Sequence, residues 1–219
     1  MTFVEIWGWI CAAVTATLSL PQLLRLLKVR TSAGLSLLSW QMMLAANIPW
    51  VAHGILDNRP NLAIPNAILF VCTILILRMI RADRGLGLLE TYALGAVAGA
   101  VGVTVDVVFG AAAFGALVTI PQATGQLAQL RDLLRLRDIR GLSWVFLTVS
   151  FLLQFMWISW AFMVDDNAVK VAGSMMAVLA SANLLVYILR RTNVIKPPTG
   201  AGTALIADEP AGFHSADQS

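Results

Sequence analysis

Leu20-Pro21-Gln22 recurs in this chain as Ile120-Pro121-Gln122, and each triplet stands near the end of a long apolar run. A basic loop follows each copy, and then come the related segments Ala33-Gly34-Leu35-Ser36 and Arg140-Gly141-Leu142-Ser143. Two stretches that share their motifs and the order of those motifs indicate an internal repeat.

The spacing within the two copies supports the repeat. Trp50 and Trp157 each stand 16 residues after the glycine of their own Gly-Leu-Ser segment (50 − 34 and 157 − 141). An acidic turn and one further apolar run complete each copy. We therefore expect each repeat unit to contain three helices.

The composition is that of a membrane protein. The chain has 219 residues, of which 58% are hydrophobic and 12% are charged, whereas soluble domains carry about a quarter charged residues. Its apolar runs exceed the roughly 18 residues that suggest a membrane span, and they are apolar nearly all round rather than on one face. We predict seven spans, near residues 6–27, 35–56, 61–81, 87–105, 107–129, 142–164 and 168–190.

The basic residues agree with seven spans. Only Arg59 and Lys170 of the 15 fall outside the first, third and fifth loops and the segment after the last helix. Because basic residues concentrate in cytoplasmic loops, we expect the N-terminus outside and the C-terminus in the cytoplasm. We expect the protein to reside in the plasma membrane. The stretch Val103–Val107 contains no glycine or proline turn. We nevertheless place the boundary between helices 4 and 5 there, because residues 87–129 are too many for one span. We interpret Asp106 as the N-cap of helix 5.

Three helices per unit is an odd number, so two directly joined units would point in opposite directions. Both Pro-Gln triplets nevertheless lie beside basic loops, so the units are parallel and one linker helix must separate them. The predicted divisions are a first bundle at 1–84, a linker helix at 85–105, a second bundle at 106–191 and a disordered tail at 192–219.

The paired Pro-Gln triplets, the Gly-Leu-Ser segments and the 3+1+3 layout resemble the PQ-loop superfamily. Within it, they are most similar to the SWEET sugar transporters and their single-unit bacterial relatives, over about residues 6–190. The resemblance implies an all-α polytopic membrane protein that carries a small neutral solute, a mono- or disaccharide, by facilitated diffusion and alternating access between the bundles.

The two Pro-Gln pairs are the predicted hinges. A proline inside a helix removes one hydrogen bond and bends the chain, so Pro21 with Gln22, and Pro121 with Gln122, could let each bundle rock. The alternative is a static packing kink.

The resemblance also implies a solute pocket. Trp50 and Asn66 match the tryptophan and asparagine that line the sugar site in the single-unit relatives, and Trp157 and Ser174 are their expected counterparts in the second unit. An indole face packs on sugar C–H groups, and an amide donates and accepts hydrogen bonds. The alternative for Asn66 is a hydrogen bond that only aids helix packing.

Three residues at the end of helix 2 and in the turn after it are predicted gate residues. Asp57 and Arg59 would form an extracellular gate, as in the relatives, or a solvated turn. His53 lies one turn inside and could sense protons or simply be hydrogen-bonded.

Several classes of function are not favoured. The sequence shows no nucleotide-binding glycine loop, no nucleophile–base arrangement and no metal-ligand spacing, so we expect no enzyme, cofactor or metal, and the basic residues at helix ends do not indicate nucleic acid. No acid or base falls in the middle third of a span, which favours a neutral solute.

The expected partners are the lipid bilayer and the solute, and a homo-oligomer is compatible. Two alternative functions stay open. The protein could be a carrier of amino acids or other metabolites, or a receptor that keeps the fold without transport.

Overall fold

The computed structural model describes residues 2–29, 35–135, 139 and 143–196. Within these ranges the chain forms seven α-helices and no strand, which confirms the all-α polytopic fold. Four of them, α3, α4, α6 and α7, are long and apolar enough by themselves to cross a membrane. The helices are α1 (Phe3–Val29), α2 (Leu37–Leu56), α3 (Pro60–Arg84), α4 (Leu88–Phe109), α5 (Ala111–Arg135), α6 (Trp144–Val164) and α7 (Asn167–Arg191). From residue 197 onward, the predicted disordered tail lies outside the described residues.

The boundary between helices 4 and 5 differs from its prediction. The helix break lies at Gly110, which has a φ of 86° that favours glycine, and α5 begins at Ala111. Asp106 therefore lies inside α4, so its prediction as the N-cap of helix 5 is wrong. The helix therefore ends at Gly110, in a stretch that contains no proline.

The repeated Gly-Leu-Ser segments have a structural reason in their serines. The hydroxyl oxygen of Ser36 accepts a hydrogen bond from the backbone N–H of Ser39 and caps α2. Ser143 caps α6 in the same way through the N–H of Phe146. Such a cap satisfies one of the free N–H groups at a helix start.

The helices pack in two corresponding groups. We call α1–α3 the first unit and α5–α7 the second unit. In each unit the third helix contacts both others: α3 contacts α1 and α2, and α7 contacts α5 and α6. Between the units, α1 contacts α6 and α2 contacts α5. Because α1 corresponds to α5 and α2 to α6 in the repeat, these two contacts are equivalent. The packing therefore follows the symmetry of the sequence repeat.

The linker helix α4 lies mainly against α2. Three buried glycines, Gly95, Gly99 and Gly102, form the contact surface. A Cβ added at Gly99 would come within 2.8 Å of Ile48, and one at Gly102 within 2.9 Å of Pro49. Small residues on one helix face allow close approach in membranes, so the backbone of α4 packs closely against side chains of α2 in the first unit.

The two ends of the bundle are distinct. One end carries the turns α2–α3 and α6–α7, together with the start of α1 and the connection from α4 to α5. We call it the acidic-turn end, because Asp57, Asp165 and Asp166 lie there. The opposite, basic-loop end carries the ends of α1, α3, α5 and α7 and the starts of α2, α4 and α6.

Candidate functional site

The largest group of buried apolar residues lies where the two units meet. Trp50 on α2 packs against Phe114 on α5, with ring centroids 5.0 Å apart, and Trp160 of α6 is buried in the same group. We call this group the junction cluster. Its buried members are Cys11, Ala46, Trp50, Leu62, Phe114, Val118, Trp160, Ala161, Ala168, Val169 and Ala172.

Hydrogen bonds also join the units. The indole N–H of Trp7 donates to the hydroxyl of Ser159 at 2.9 Å, and that of Trp157 donates to the hydroxyl of Thr15 at 3.1 Å. These bonds connect α1 to α6 from the acidic-turn end to the middle of the helices. Specific polar contacts as well as apolar packing therefore join the two units toward the acidic-turn end.

His53 is the polar centre of the junction. It is 1% exposed, and its Nδ1 lies 2.8 Å from the Asp106 carboxylate of α4. Its Nε2 lies 3.3 Å from the nearer carboxylate oxygen of Asp166, which precedes α7, and 3.7 Å from Asp57. Because an ionised carboxylate only accepts hydrogen bonds, Nδ1 carries a proton that it donates to Asp106. We call these four residues the His53 cluster.

Asp166 is both a helix cap and a member of this cluster. Its carboxylate accepts a hydrogen bond from the N–H of Val169 at 2.9 Å, in the first turn of α7. Burial on its own raises the pKa of Asp166, but the hydrogen bonds from His53 and Val169 and the charges of His53 and Arg59 outweigh it, so this pKa is lowered from its ordinary value. Asp166 therefore stays ionised at neutral pH.

The structure brings only some of the predicted pocket residues together. Trp157 packs on the junction cluster that contains Trp50. Asn66 is half-buried, and its amide donates to the carbonyl oxygen of Leu62 on its own helix at 2.8 Å. Ser174 is exposed and does not join the cluster.

The predicted hinge residues lie inside helices. Pro121 and Gln122 are half-buried in α5. Pro121 and Pro49 line one apolar crevice of about 330 Å³ between α2, α4 and α5. Pro21 and Gln22 lie within α1, and their side chains are outside the described part of the chain.

The predicted gate residues do lie at the acidic-turn end. The Asp57 side chain is 46% exposed. Arg59 donates from Nη2 to the carbonyl oxygen of Val164 at 3.0 Å, and its guanidinium lies 5.9 Å from the ring centroid of Trp160. Arg59 of the first unit thus contacts the end of α6 in the second.

Sequence reasoning missed two functional candidates, Asp106 and Asp166. It also expected no metal-ligand cluster, yet His53, Asp57 and Asp166 bring ligand atoms within 4.8 Å of one another. Asp106 and Asp166 are 53 and 113 residues away from His53 in the chain, so no local spacing could show the cluster. The one available signal was that Asp57, Asp106 and Asp166 all fall at helix ends on the same predicted side.

Comparison with known proteins agrees with this fold. The PQ loop repeat family model matches residues 3–62, which run from the start of α1 to the start of α3. A eukaryotic SWEET transporter, solved at 3.7 Å resolution, superposes with a TM-score of 0.65 and 16% sequence identity, covering 88% of this chain and 100% of that one. No curated protein matches the sequence significantly. The resemblance seen in the sequence is confirmed as a PQ-loop repeat and a SWEET-like fold.

Proposed function

We propose that this protein is a membrane transporter that facilitates diffusion of a small neutral solute, a mono- or disaccharide, by alternating access between its two units. The acidic-turn end faces outward and the C-terminus lies in the cytoplasm of a cell whose plasma membrane holds the protein. No cofactor is involved, and one chain with two units forms one pathway.

The observation that carries this proposal is the set of contacts that join the two units near the acidic-turn end. Trp7 with Ser159, Arg59 with Val164, and His53 with Asp166 all join residues of different units near that end. Contacts of this kind can break when two rigid bundles rock, because each joins a side chain of one unit to a residue of the other. Such a closure at one end is what alternating access requires of an inward-facing state.

Two features support a neutral polar solute. Trp50 and Trp157 place two indoles at the junction between the units, where a bound solute would contact both bundles. Asn66 lies one turn further along α3 than Leu62 of the junction cluster. Its amide uses one N–H within its helix, which leaves a second N–H and an oxygen for hydroxyl groups.

A second candidate is a carrier of amino acids or other charged metabolites. The buried ionisable groups of the His53 cluster favour it, since buried ionisable groups in membrane proteins often contact charged solutes or protons. These groups lie at the acidic-turn end rather than beside Asn66, which is why the neutral solute is our first choice.

Uptake into proteoliposomes tests the proposal. Purified protein is reconstituted, and uptake of labelled glucose and sucrose is followed with and without a proton gradient, beside a panel of amino acids. We expect sugar to equilibrate without the gradient. Amino-acid uptake without sugar uptake would select the second candidate, and no flux of any solute by folded protein would refute transport.

Matched variants test the pocket. We expect Asn66→Ala and Trp50→Ala to abolish uptake, and Trp50→Phe to retain the fold with reduced uptake. Trp144→Ala is the control, because Trp144 is 62% exposed on α6 and lies outside the junction cluster. Equal uptake by Asn66→Ala and by the unaltered protein would overturn the assignment of Asn66.

A further inference from the structure

We propose that His53, Asp57 and Asp166 form a binding site for a divalent transition-metal ion, with Zn²⁺ as the probe, and that the bound ion ties the two units together at the acidic-turn end. His53 and Asp57 belong to the first unit and Asp166 to the second. The ion would therefore bridge the two bodies that must separate for this end to open.

The distances around His53 differ on its two sides. Nδ1 lies 2.8 Å from Asp106, a normal charge-assisted hydrogen bond. Nε2 lies 3.3 Å from Asp166, which is a long hydrogen bond, and 3.7 Å from Asp57, which is beyond hydrogen-bond range. Ligand atoms about 2.0–2.1 Å from a tetrahedral ion are separated from each other by roughly 3.3–3.4 Å. The two distances from Nε2 are close to that value, and the three ligand atoms all lie within 4.8 Å of one another.

Asp106 completes the arrangement from the other side of the ring. Histidines that bind metals almost always donate their second ring N–H to a carboxylate or carbonyl group, which fixes the tautomer. With Nδ1–H donating to Asp106, Nε2 faces Asp57 and Asp166, and a bound ion would replace the proton that Nε2 otherwise donates to Asp166. A buried imidazole oriented by one carboxylate toward two others has the geometry of a carboxylate–histidine–metal site.

The charges and the chemistry of the ligands favour a transition metal. Three carboxylates surround one imidazole, and the charges of His53 and Arg59 act on Asp166, so the cluster keeps a net negative charge that a divalent ion would offset. One nitrogen and two carboxylate oxygens suit Zn²⁺, with water in the fourth position, whereas Mg²⁺ and Ca²⁺ prefer oxygen ligands alone. Asp57 is half-exposed and gives the ion a route in from solvent.

The functional consequence rests on the proposed transport. An ion held by both units stabilises the state in which the acidic-turn end is closed, because its ligands separate when that end opens. Zn²⁺ added on that side would then slow solute exchange. Binding itself can be measured on protein that transports nothing, so the two proposals fail separately.

Calorimetry and thermal unfolding with ZnCl₂ test the site on the full-length chain in detergent, purified without a histidine tag. We expect one Zn²⁺ per chain, a higher unfolding temperature, reversal by EDTA and no comparable effect of Mg²⁺. His53→Gln, Asp57→Asn and Asp166→Asn should each weaken binding more than tenfold, and Asp106→Asn about 10- to 100-fold.

Two substitutions outside the proposed site serve as controls. Asp165→Asn alters the adjacent exposed acid, and His214→Gln alters the one other histidine of the sequence; both should bind Zn²⁺ as the unaltered protein does. Asp57→Asn changes an exposed side chain and Asp166→Asn keeps a capping residue, so loss of folding does not account for their effects.

Three results would overturn the inference. The first is no stoichiometric binding, and the second is binding that His53→Gln and Asp57→Asn leave unchanged. The third is stabilisation that follows pH but ignores both ZnCl₂ and EDTA, because a protonated imidazole would then hold the carboxylates without a metal. Binding at the site without any slowing of flux would uphold the site and refute its role as a lock.

Discussion

Gly115 lies where α5 and α7 approach each other closely, and its replacement gives a sharp test of the packing. A Cβ added there would lie 2.9 Å from the Cα of Ala168 and closer still to its carbonyl oxygen. These are backbone atoms that cannot rotate away, so Gly115→Ala must push α7 from α5. Overpacking of this kind costs about 1–3 kcal/mol, while the better helix propensity of alanine returns at most about 1 kcal/mol.

We therefore expect Gly115→Ala to reduce stability by about 1–2 kcal/mol, which for a chain of this size lowers the unfolding temperature by roughly 2–8 °C. The assay is thermal unfolding in detergent with a thiol-reactive fluorescent dye. Cys11 and Cys72 are both buried and free, and they are the only cysteines of the sequence, so dye reaction reports unfolding.

Gly125→Ala is the matched control on the same helix. A Cβ at Gly125 meets no atom within 4 Å, so this change should keep the unfolding temperature or raise it by a few degrees. The two substitutions are chemically identical and differ only in what surrounds them. Equal shifts of the same sign would refute the close contact between α5 and α7.

Three further changes have expected outcomes. Asp166→Ala should cost about 1 kcal/mol because it removes the cap on the Val169 N–H, and Asp166→Asn should cost less; equal unfolding temperatures would refute a capping role. Arg190→Ala should cost about 1.5–3 kcal/mol, since its buried guanidinium donates to a backbone carbonyl of α5 at 2.7 Å, whereas Arg191→Ala should stay within about 0.5 kcal/mol in the same unfolding assay. Trp7→Phe should shift the protein about 2- to 10-fold toward opening at the acidic-turn end, since one hydrogen bond of about 0.5–1.5 kcal/mol is lost; spin-label distances between the two acidic turns would measure the shift, and no change would refute the role of this bond.

Most of the fold could be predicted from the sequence because the bilayer imposes a simple rule on it. A span must be apolar and about 20 residues long, and the duplicated motifs then repeated the order of helices. The prediction failed at the junction of helices 4 and 5, where composition does not change and only the backbone freedom of Gly110 marks the break. Because of that error, Asp106 was predicted at the start of helix 5, whereas it lies inside α4.

The site was less predictable, for a different physical reason. Trp50 and Trp157 could be paired because the repeat puts them in equivalent places. The His53 cluster joins side chains from α2, α4 and the turn before α7, and its members meet only after the helices have packed. Ser174 shows the converse. Its position in the repeat predicted the same role as that of Asn66, but its side chain is exposed on α7.

The repeat itself explains why the cluster is one-sided. Counting from the shared glycines, the position that His53 holds in the first unit is held by Trp160 in the second (53 − 34 and 160 − 141). Two identical half-length chains would have to place two imidazoles or two indoles at this point. In a single polypeptide the two positions can differ, and the linker helix contributes a carboxylate, Asp106, that contacts His53. The two halves of the repeat can therefore carry different chemistry at equivalent positions.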